Sequence, residues 1–299
     1  MSEYYDPKTY PKQWNYLQAG TNVDEYIIER ELAHGGFSSV YLARQHADQV
    51  QVAIKEYLPR KLAHRTWNNH IVANDEDSKK LFAHGRALFI EEAKVLATLK
   101  HPNIVEVISF FQANSTVYLV MTYDYGITLN KLLKDKQVKI DDQWLLSVFG
   151  SLLKGLGLIH EHNILHLDIK PGNLLVRPGN DVVLLDFGAI QTYPQNNKGK
   201  AHILTKGFSP IEQYSVAGIL GPYSDIYAVG ASMRACLDGN MPRQAPDRVG
   251  NNQFPLAQKV HARRFNKRLL EIIDWAMAIN AADRPQTVEE LESALAELQ

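Results

Sequence analysis

The chain has 299 residues, of which 45% are hydrophobic and 22% charged, the composition of an ordinary globular protein. Its 33 acidic and 32 basic side chains give a net charge of −1, which provides no field for binding nucleic acid or an anionic membrane. The single cysteine, Cys236, excludes an internal disulfide framework and predicts a reducing compartment, the cytoplasm. Residues 1–20 lack a leader pattern, and the longest apolar region, 145–159, is interrupted by Lys154 and three glycines. We therefore expect no membrane segment in this chain.

The first half of the chain is predicted to be rich in strands. Their predicted ranges are Tyr26–Leu32, Phe37–Ala43, Val50–Glu56, Ile104–Phe111 and Thr116–Met121. One helix is predicted between Phe89 and Leu99, where apolar residues recur with helical spacing. The polar residues 57–88 before it are interpreted as an insert that docks a regulatory partner, covers the predicted helix or is a neutral surface insertion.

The second half is predicted to be mainly helical. Predicted helices run from Asp141 or Asp142 to about His162, from Ser224 to Leu237, and from a capping box at 287–290 onward. A strand-rich half followed by a helix-rich half predicts two lobes with a cleft, and residues 122–128, with Gly126, are the predicted hinge.

The most informative pattern lies in residues 166–188. It reads His166-Leu167-Asp168-Ile169-Lys170-Pro171-Gly172-Asn173, and Asp186-Phe187-Gly188 follows thirteen residues after Asn173. Two short apolar runs between them flank a polar turn, which predicts a β-hairpin. Because a hairpin folds back on itself, Asn173 and Asp186 at its ends should come close together. Amide and carboxylate oxygens are ligands that suit Mg²⁺, and Asp168 is then placed to act on a hydroxyl group.

This series resembles the catalytic and metal-binding loops of eukaryotic-type (Hanks-type) protein kinases. The resemblance extends from about Tyr26 to Leu298 and implies an α+β, bilobal protein kinase fold. The N-lobe would be a small antiparallel β-sheet with one regulatory helix, and the larger C-lobe would be mainly helical. The implied domains are an N-terminal extension 1–20, an N-lobe 21–122 with the insert 57–88, and a C-lobe 123–299 with the activation segment 186–212.

A strand ending in a cation, Val52-Ala53-Ile54-Lys55, suits Lys55 to hold the α- and β-phosphates of ATP. A buried lysine needs an anionic partner. Glu92 is preferred because Leu96, four residues on, shares its helix face, and Glu91 is the alternative.

The resemblance implies the remaining catalytic roles. Asp168 would accept the proton of the substrate hydroxyl, and Lys170 would neutralise charge on the phosphoryl group in flight. Asn173 and Asp186 would bind Mg²⁺, with Mn²⁺ as the alternative metal. Further residues implied to bind ATP are Ala33, Gly35, Gly36, Val40, Ala53, Met121, Thr122, Tyr123 and Leu175, where Met121 holds the gatekeeper position.

Other matches concern the substrate and the helical lobe. Thr205 and Lys170-Pro171 favour serine and threonine as acceptors. Ser209-Pro210-Ile211-Glu212 resembles the A-P-E segment, so Glu212 should pair with Arg284, and Asp225 should bind the catalytic-loop backbone. Two short sequences resemble bacterial members of the family. They are Lys55-Glu56-Tyr57-Leu58-Pro59 and Pro210-Ile211-Glu212-Gln213-Tyr214.

The chain departs from the family pattern at two places. In the glycine-rich loop, Ala33 and Ser38 replace the first and third glycines, so nucleotide affinity should be weakened without being lost. Leu167 replaces the arginine that ordinarily pairs with an activation-loop phosphate. We therefore predict that activity depends little on phosphorylating Thr192, Tyr193 or Thr205. Lys198, Lys200 and Lys206 are either an acidic-substrate site or an ordinary solvated surface.

The sequence thus predicts an ATP- and Mg²⁺-dependent protein-serine/threonine kinase that also phosphorylates itself. One alternative is a pseudokinase scaffold that binds nucleotide and partners without efficient transfer, which the altered glycine-rich loop and Leu167 motivate. The other alternative is a small-molecule kinase of similar fold.

Overall fold

The computed structural model describes residues 16–194, 203–250 and 254–298. The chain divides into a first unit, residues 1–100 with 106–123, and a second unit, residues 101–105 with 124–299. The division after Tyr123 falls inside the predicted hinge, one residue beyond the predicted lobe boundary. Among the described residues, the helices are too short or too polar to cross a membrane.

The first unit contains a six-stranded antiparallel sheet in the spatial order β1-β2-β3-β4-β8-β7. Its strands are β1 Asn22–Val23, β2 Tyr26–His34, β3 Ser38–Gln45, β4 Gln51–Tyr57, β7 Val107–Ala113 and β8 Thr116–Thr122. Side chains alternate between the two faces of a strand. One face therefore collects the core of the unit, which includes Tyr26, Ile28, Tyr41, Ile54 and Tyr118.

Four of the five predicted strands are confirmed to within two residues, and the prediction for Ile104–Phe111 is wrong at its start. The strand begins at Val107, because the preceding residues pair with the second unit's hairpin instead. Ile104 bridges to Leu184, and the Val105 N–H donates to the Leu184 carbonyl at 3.1 Å. The neighbouring Asn103 amide donates to the Val182 carbonyl at 2.7 Å, which fixes residues 101–105 in the second unit.

The first helix is longer than predicted, since α1 spans Glu76–Leu96 and not only the residues from Phe89 onward. Its N-cap is Asp75, whose carboxylate accepts from the Ser78 N–H at 2.7 Å. Phe82 is buried like Phe89, but polar side chains on the solvent face of the first turns mask the helical periodicity. The insert is accordingly shorter than 57–88 and contains a hairpin, β5 Ala63–Arg65 and β6 Ile71–Ala73.

The second unit is mainly helical. Its helices are α2 Leu129–Asp135, α3 Asp142–Glu161, α4 Pro222–Asp238, α5 Ala257–Val260, α6 Lys267–Ala276 and α7 Val288–Ala296. Asp141 caps α3 by accepting from the Trp144 N–H at 3.0 Å, and Thr287 caps α7, as predicted. Helix α4 begins two residues before the predicted Ser224, and it forms the buried centre of this unit.

Short strands complete the second unit. They are β9 Ile127–Thr128, β10 Ile164–Leu165, β11 Leu174–Val176, β12 Val182–Leu184 and β13 Gln191–Thr192. The predicted hairpin is confirmed, because β11 and β12 pair antiparallel with Leu174 opposite Leu184. Strand β9 pairs with the other edge of β11. A Cβ atom at Gly126 would lie 2.7 Å from the Val176 carbonyl oxygen, so this approach requires glycine.

Candidate active site

The predicted ion pair of the first unit is present. Lys55 lies on the central strand β4 and is buried, with Nζ 3.3 Å from Oε1 of Glu92 on α1. The ammonium group also lies 5.4 Å from the centroid of the Phe89 ring. The alternative partner, Glu91, is exposed and pairs with Lys94 at 2.7 Å. Glu92 is therefore confirmed as the partner of Lys55.

The predicted nucleotide-binding residues of the sheet share one face. Val40 lies opposite Lys55, and Ala53 lies opposite Met121. Because Ala53 and Lys55 are two residues apart on β4, all four side chains project from the same face. This face is opposite to the one that carries Ile54 and the core. Thr122 and Tyr123 follow at the end of β8, while Leu175 lies on β11 of the second unit.

The tip of the glycine-rich loop offers space for a phosphate group. Gly35 closes the turn by donating its N–H to the Ser38 carbonyl at 2.9 Å. A Cβ atom at Gly36 would meet nothing within 4 Å, and neither glycine has a positive φ. Ala33, near the end of β2, is also exposed, as are all the residues from 33 to 37. The loop therefore fits a phosphate approaching its backbone, although two family glycines are missing.

In the second unit, a buried carboxylate organises the catalytic loop. Asp225, in the first turn of α4, accepts from the backbone N–H groups of His166 at 2.8 Å and Leu167 at 2.7 Å. Its third partner is the His160 ring, with Nε2 at 2.8 Å. Burial alone would raise the pKa of Asp225, but the His160 hydrogen bond and the neighbouring histidines hold it below its ordinary value. The predicted role of Asp225 toward the loop backbone is confirmed.

Asp168 is the point where the catalytic-loop side chains meet. Lys170 Nζ lies 2.7 Å from Oδ2 of Asp168, and Thr205 Oγ1 donates to Oδ1 at 2.6 Å. The Asn173 amide donates to Oδ2 at 3.0 Å. Thr205, which favours serine and threonine as acceptors, thus contacts Asp168 directly. Leu167, just before Asp168, has a φ of 60°, a left-handed conformation that is uncommon outside glycine.

Asn173 and Asp186 provide an oxygen donor set that fits a divalent cation. The Leu185 N–H donates to the Asn173 carbonyl at 2.8 Å, so the two ends of the hairpin are adjacent, as predicted. No group of three or more His, Cys, Asp or Glu side chains that could hold a metal occurs among the described residues. Mg²⁺ typically uses one or two carboxylates and leaves its other positions to water and phosphate oxygens. Asn173 and Asp186 match that requirement.

The predicted pair of Glu212 and Arg284 is confirmed. Arg284 donates from Nη1 to Oε1 at 2.8 Å and from Nη2 to Oε2 at 3.1 Å, and its side chain is fully buried. The Ser224 hydroxyl donates to the same Glu212 carboxylate at 2.8 Å. The bidentate pair joins the end of the activation segment to Arg284, and the Ser224 hydroxyl joins it to the start of α4. Of the basic cluster, Lys198 and Lys200 lie outside the described residues, and Lys206 is exposed.

One functional contact was not predicted from the sequence. Gln213 is buried, and its Nε2 donates to the Leu167 carbonyl at 3.0 Å and to the Ile203 carbonyl at 2.7 Å. It therefore joins the catalytic loop to the activation segment, next to the position where the family arginine is replaced by Leu167. The sequence feature that pointed to Gln213 was its position directly after Glu212, in the series Pro210-Ile211-Glu212-Gln213-Tyr214.

His166 leads to a prediction about pH. Its ring packs edge-on against Phe187, with centroids 4.8 Å apart, and burial lowers its pKa despite the nearby Asp225 carboxylate. A histidine held neutral in the fold stabilises the protein fully above its ordinary pKa, and this contribution is lost as the pH falls below about 6.5. The free energy of unfolding should fall below pH 6.5, with His166 contributing up to about 1.4 kcal/mol per pH unit.

Urea titrations from pH 7 to 5 measure how steeply the free energy of unfolding depends on pH. This slope should be shallower in His166→Phe, whereas His84→Gln, at an exposed position, should keep the wild-type slope. Equal slopes for wild type and His166→Phe would refute the assignment.

The fold and the residues around Asp168 are those of a protein kinase. The chain belongs to the protein kinase domain family, which matches residues 26–295. It is 28% identical over 285 residues to serine/threonine-protein kinase D of Synechocystis sp., which covers 91% of this chain and 52% of that protein. It is 25% identical over 291 residues to serine/threonine-protein kinase pkn3 of Myxococcus xanthus, covering 91% and 49% respectively.

A solved structure, PpkA-294 in its apo form, is similar throughout. It matches with a TM-score of 0.84 and 32% identity, covering 94% of this chain and 99% of that chain. The predicted fold class and the predicted membership of the protein kinase family are confirmed. The chain spans about half the length of the two curated relatives named above.

Proposed function

We propose that the chain is an ATP-dependent serine/threonine protein kinase that transfers the γ-phosphate to hydroxyl groups of proteins, including its own. The observation that carries this proposal is the set of contacts that Lys170, Asn173 and Thr205 make with Asp168. The small-molecule alternative is less favoured because Thr205 contacts Asp168 and Glu212 pairs with Arg284, contacts that suit a segment serving a peptide substrate. Protein kinases generally use ATP and a divalent metal, and we propose Mg²⁺ here.

In the proposed reaction, the substrate hydroxyl oxygen forms a bond to the γ-phosphorus, and the bond between this phosphorus and the leaving ADP oxygen breaks. Asp168 orients the hydroxyl group and accepts its proton, while Lys170 neutralises charge on the transferred group. Lys55, fixed by Glu92, holds the α- and β-phosphates. Asn173 and Asp186 would hold Mg²⁺, which when bound neutralises charge on the β- and γ-phosphates.

Transfer from labelled ATP to a generic protein substrate tests this proposal. We expect phosphoserine and phosphothreonine in the protein product. Binding of ATP without transfer would favour the pseudokinase scaffold, which the substitutions Ala33 and Ser38 in the glycine-rich loop motivate. Label found only on a small metabolite would favour the small-molecule kinase.

We further propose that activity does not require a phosphate on the activation segment. Leu167 offers no cation to such a phosphate, and Gln213 already joins the loop and the segment through neutral hydrogen bonds. Thr192→Ala and Tyr193→Phe should therefore keep the transfer rate within about twofold of wild type in steady-state assays. A collapse in Thr192→Ala that Thr192→Glu reverses would contradict this. Thr205→Ala is expected to be slower for another reason, because Thr205 contacts Asp168 directly.

Two further proposals concern the surroundings of the enzyme. A cytoplasmic location is supported by Cys236, which is free and buried and needs no oxidising compartment, and cell fractionation tests it. A regulatory partner of the insert would find Trp67 at the tip of the β5–β6 hairpin, where this residue is 78% exposed. Trp67→Ala should then abolish capture of that partner without changing the transfer rate.

A further inference from the structure

The start of the insert lies directly against the tip of the glycine-rich loop. The Leu58 N–H donates to the Phe37 carbonyl at 2.9 Å, and the Arg60 N–H donates to the Gly36 carbonyl at 3.0 Å. The Arg60 guanidinium adds a long contact from Nη1 to the Gly35 carbonyl at 3.4 Å. Three successive carbonyl groups at the loop tip are therefore held by two residues of the insert.

These contacts determine where the loop N–H groups point. In a trans peptide, the carbonyl of one residue and the N–H of the next point in opposite directions. Since the carbonyls of Gly35, Gly36 and Phe37 face the insert, the N–H groups of Gly36, Phe37 and Ser38 face away from it. Successive N–H groups that point the same way form a site for anions such as phosphate.

The guanidinium of Arg60 is itself held in place. Its Nη2 donates to the hydroxyl of buried Ser39 at 3.0 Å. Its guanidinium carbon lies 5.0 Å from the centroid of the Tyr16 ring, which in turn lies 5.3 Å from the His34 ring. Arg60 thus contacts Ser39 on β3 directly. It also contacts the Tyr16 ring, which packs on His34 at the end of β2. The loop lies between these two strands.

The insert is anchored firmly enough to act as a support. Arg65 on β5 forms an ion pair with Glu56 of β4, and both side chains are almost fully buried. The Glu56 carboxylate also accepts from the hydroxyls of Tyr41 at 2.9 Å and Tyr118 at 2.7 Å. Breaking a buried pair of this kind is strongly destabilising, so the hairpin stays fixed to the sheet.

We propose that Arg60 is a positioning residue for nucleotide binding, because it fixes the loop tip with its N–H groups turned toward the phosphates. Residues 33–37 are all exposed, so without this support water would compete for their carbonyl groups. Ordering the loop before binding lowers the entropy lost when nucleotide binds. The inference rests on the proposed function, since it concerns the same nucleotide site.

The test measures the KM for ATP and, separately, calorimetric binding of the non-hydrolysable analogue adenylyl imidodiphosphate with Mg²⁺. Arg60→Ala should raise both the KM and the Kd about tenfold, as expected for losing two side-chain hydrogen bonds, with kcat changed less than about twofold. Arg60→Lys, which keeps a cationic donor group, should recover part of the affinity. Arg44→Ala is the matched control, because Arg44 lies on the same strand as Ser39 but pairs with Glu29, and it should leave both constants unchanged.

A second variant keeps the test informative if Arg60→Ala is poorly folded. Ser39→Ala removes only the acceptor of Nη2 and should raise the Kd by a smaller factor. An unchanged Kd in folded Arg60→Ala, or in Ser39→Ala when Arg60→Ala does not fold, would overturn the inference while leaving the kinase proposal standing. A raised Kd in a protein that transfers no phosphate would support the role of Arg60 and refute the kinase proposal instead. A fall in kcat with an unchanged KM would also contradict a role in nucleotide positioning.

Discussion

Replacing Asp168 by alanine is expected to lower the rate of phosphoryl transfer by about 10²- to 10⁴-fold, the usual contribution of a general base. Its carboxylate is the group that Lys170, Asn173 and Thr205 all contact, so its loss removes the proton acceptor and the centre of their arrangement. Binding of ATP should persist, because Lys55 and the glycine-rich loop belong to the first unit and are unchanged.

Two comparisons make this expectation specific. Asp168→Asn keeps the size of the side chain but removes the base, and should be nearly as slow as Asp168→Ala in steady-state assays with labelled ATP. Asp135→Asn is the control, because Asp135 pairs with Lys131 in an exposed helix turn and should not affect the rate. Wild-type activity in Asp168→Asn would refute the assigned role. If the variant loses both ATP binding and phosphoryl transfer, the role of Asp168 is structural.

Replacing Arg284 by alanine is expected to lower the free energy of unfolding by about 3–5 kcal/mol, the cost of leaving one charge of a buried pair unpartnered. Arg284 also donates to the carbonyl groups of Ala278, Tyr223 and Ile279, which would lose their donor. The effect should therefore lie at the upper end of this range.

Urea unfolding measures this effect. Lys131→Ala is the matched control, because it breaks the exposed pair with Asp135 and should cost less than about 1 kcal/mol. Glu212→Gln, which keeps hydrogen-bonding capacity without the charge, should cost less than Arg284→Ala. A loss below 1 kcal/mol in Arg284→Ala, equal to that of the control, would show that the pair does not secure the activation segment.

The side chains that act on phosphate could be predicted because their spacing is short and their chemistry is specific. The hairpin predicted from two apolar runs brings Asn173 next to Asp186, and helical spacing distinguished Glu92 from Glu91. The start of β7 was predicted wrongly because an apolar residue such as Ile104 fits equally well in a strand of the first unit and in a contact with the second unit's hairpin. Its pairing with Leu184 is a tertiary contact that local pattern does not report.

The contacts made by Gln213 and Arg60 could not be predicted for a related reason. Both side chains bind backbone carbonyl groups, and every residue has such a group, so their partners leave no mark in the sequence. Helix α1 was predicted too short because its first turns carry polar side chains around Phe82. The catalytic side chains could thus be predicted from the sequence, whereas the side chains that hold the loops in place could be identified only from the structure.

Phosphoryl transfer without a phosphate on the activation segment is tested most directly by the time course of transfer by protein that has been fully dephosphorylated and verified by intact mass. We expect transfer to serine and threonine from the first time point, because Gln213 rather than a phosphate joins the activation segment to the catalytic loop. The rate should change by less than about twofold after autophosphorylation. A lag that disappears only once the activation segment is phosphorylated would show that the phosphate is required, and no transfer at all would contradict the kinase activity itself.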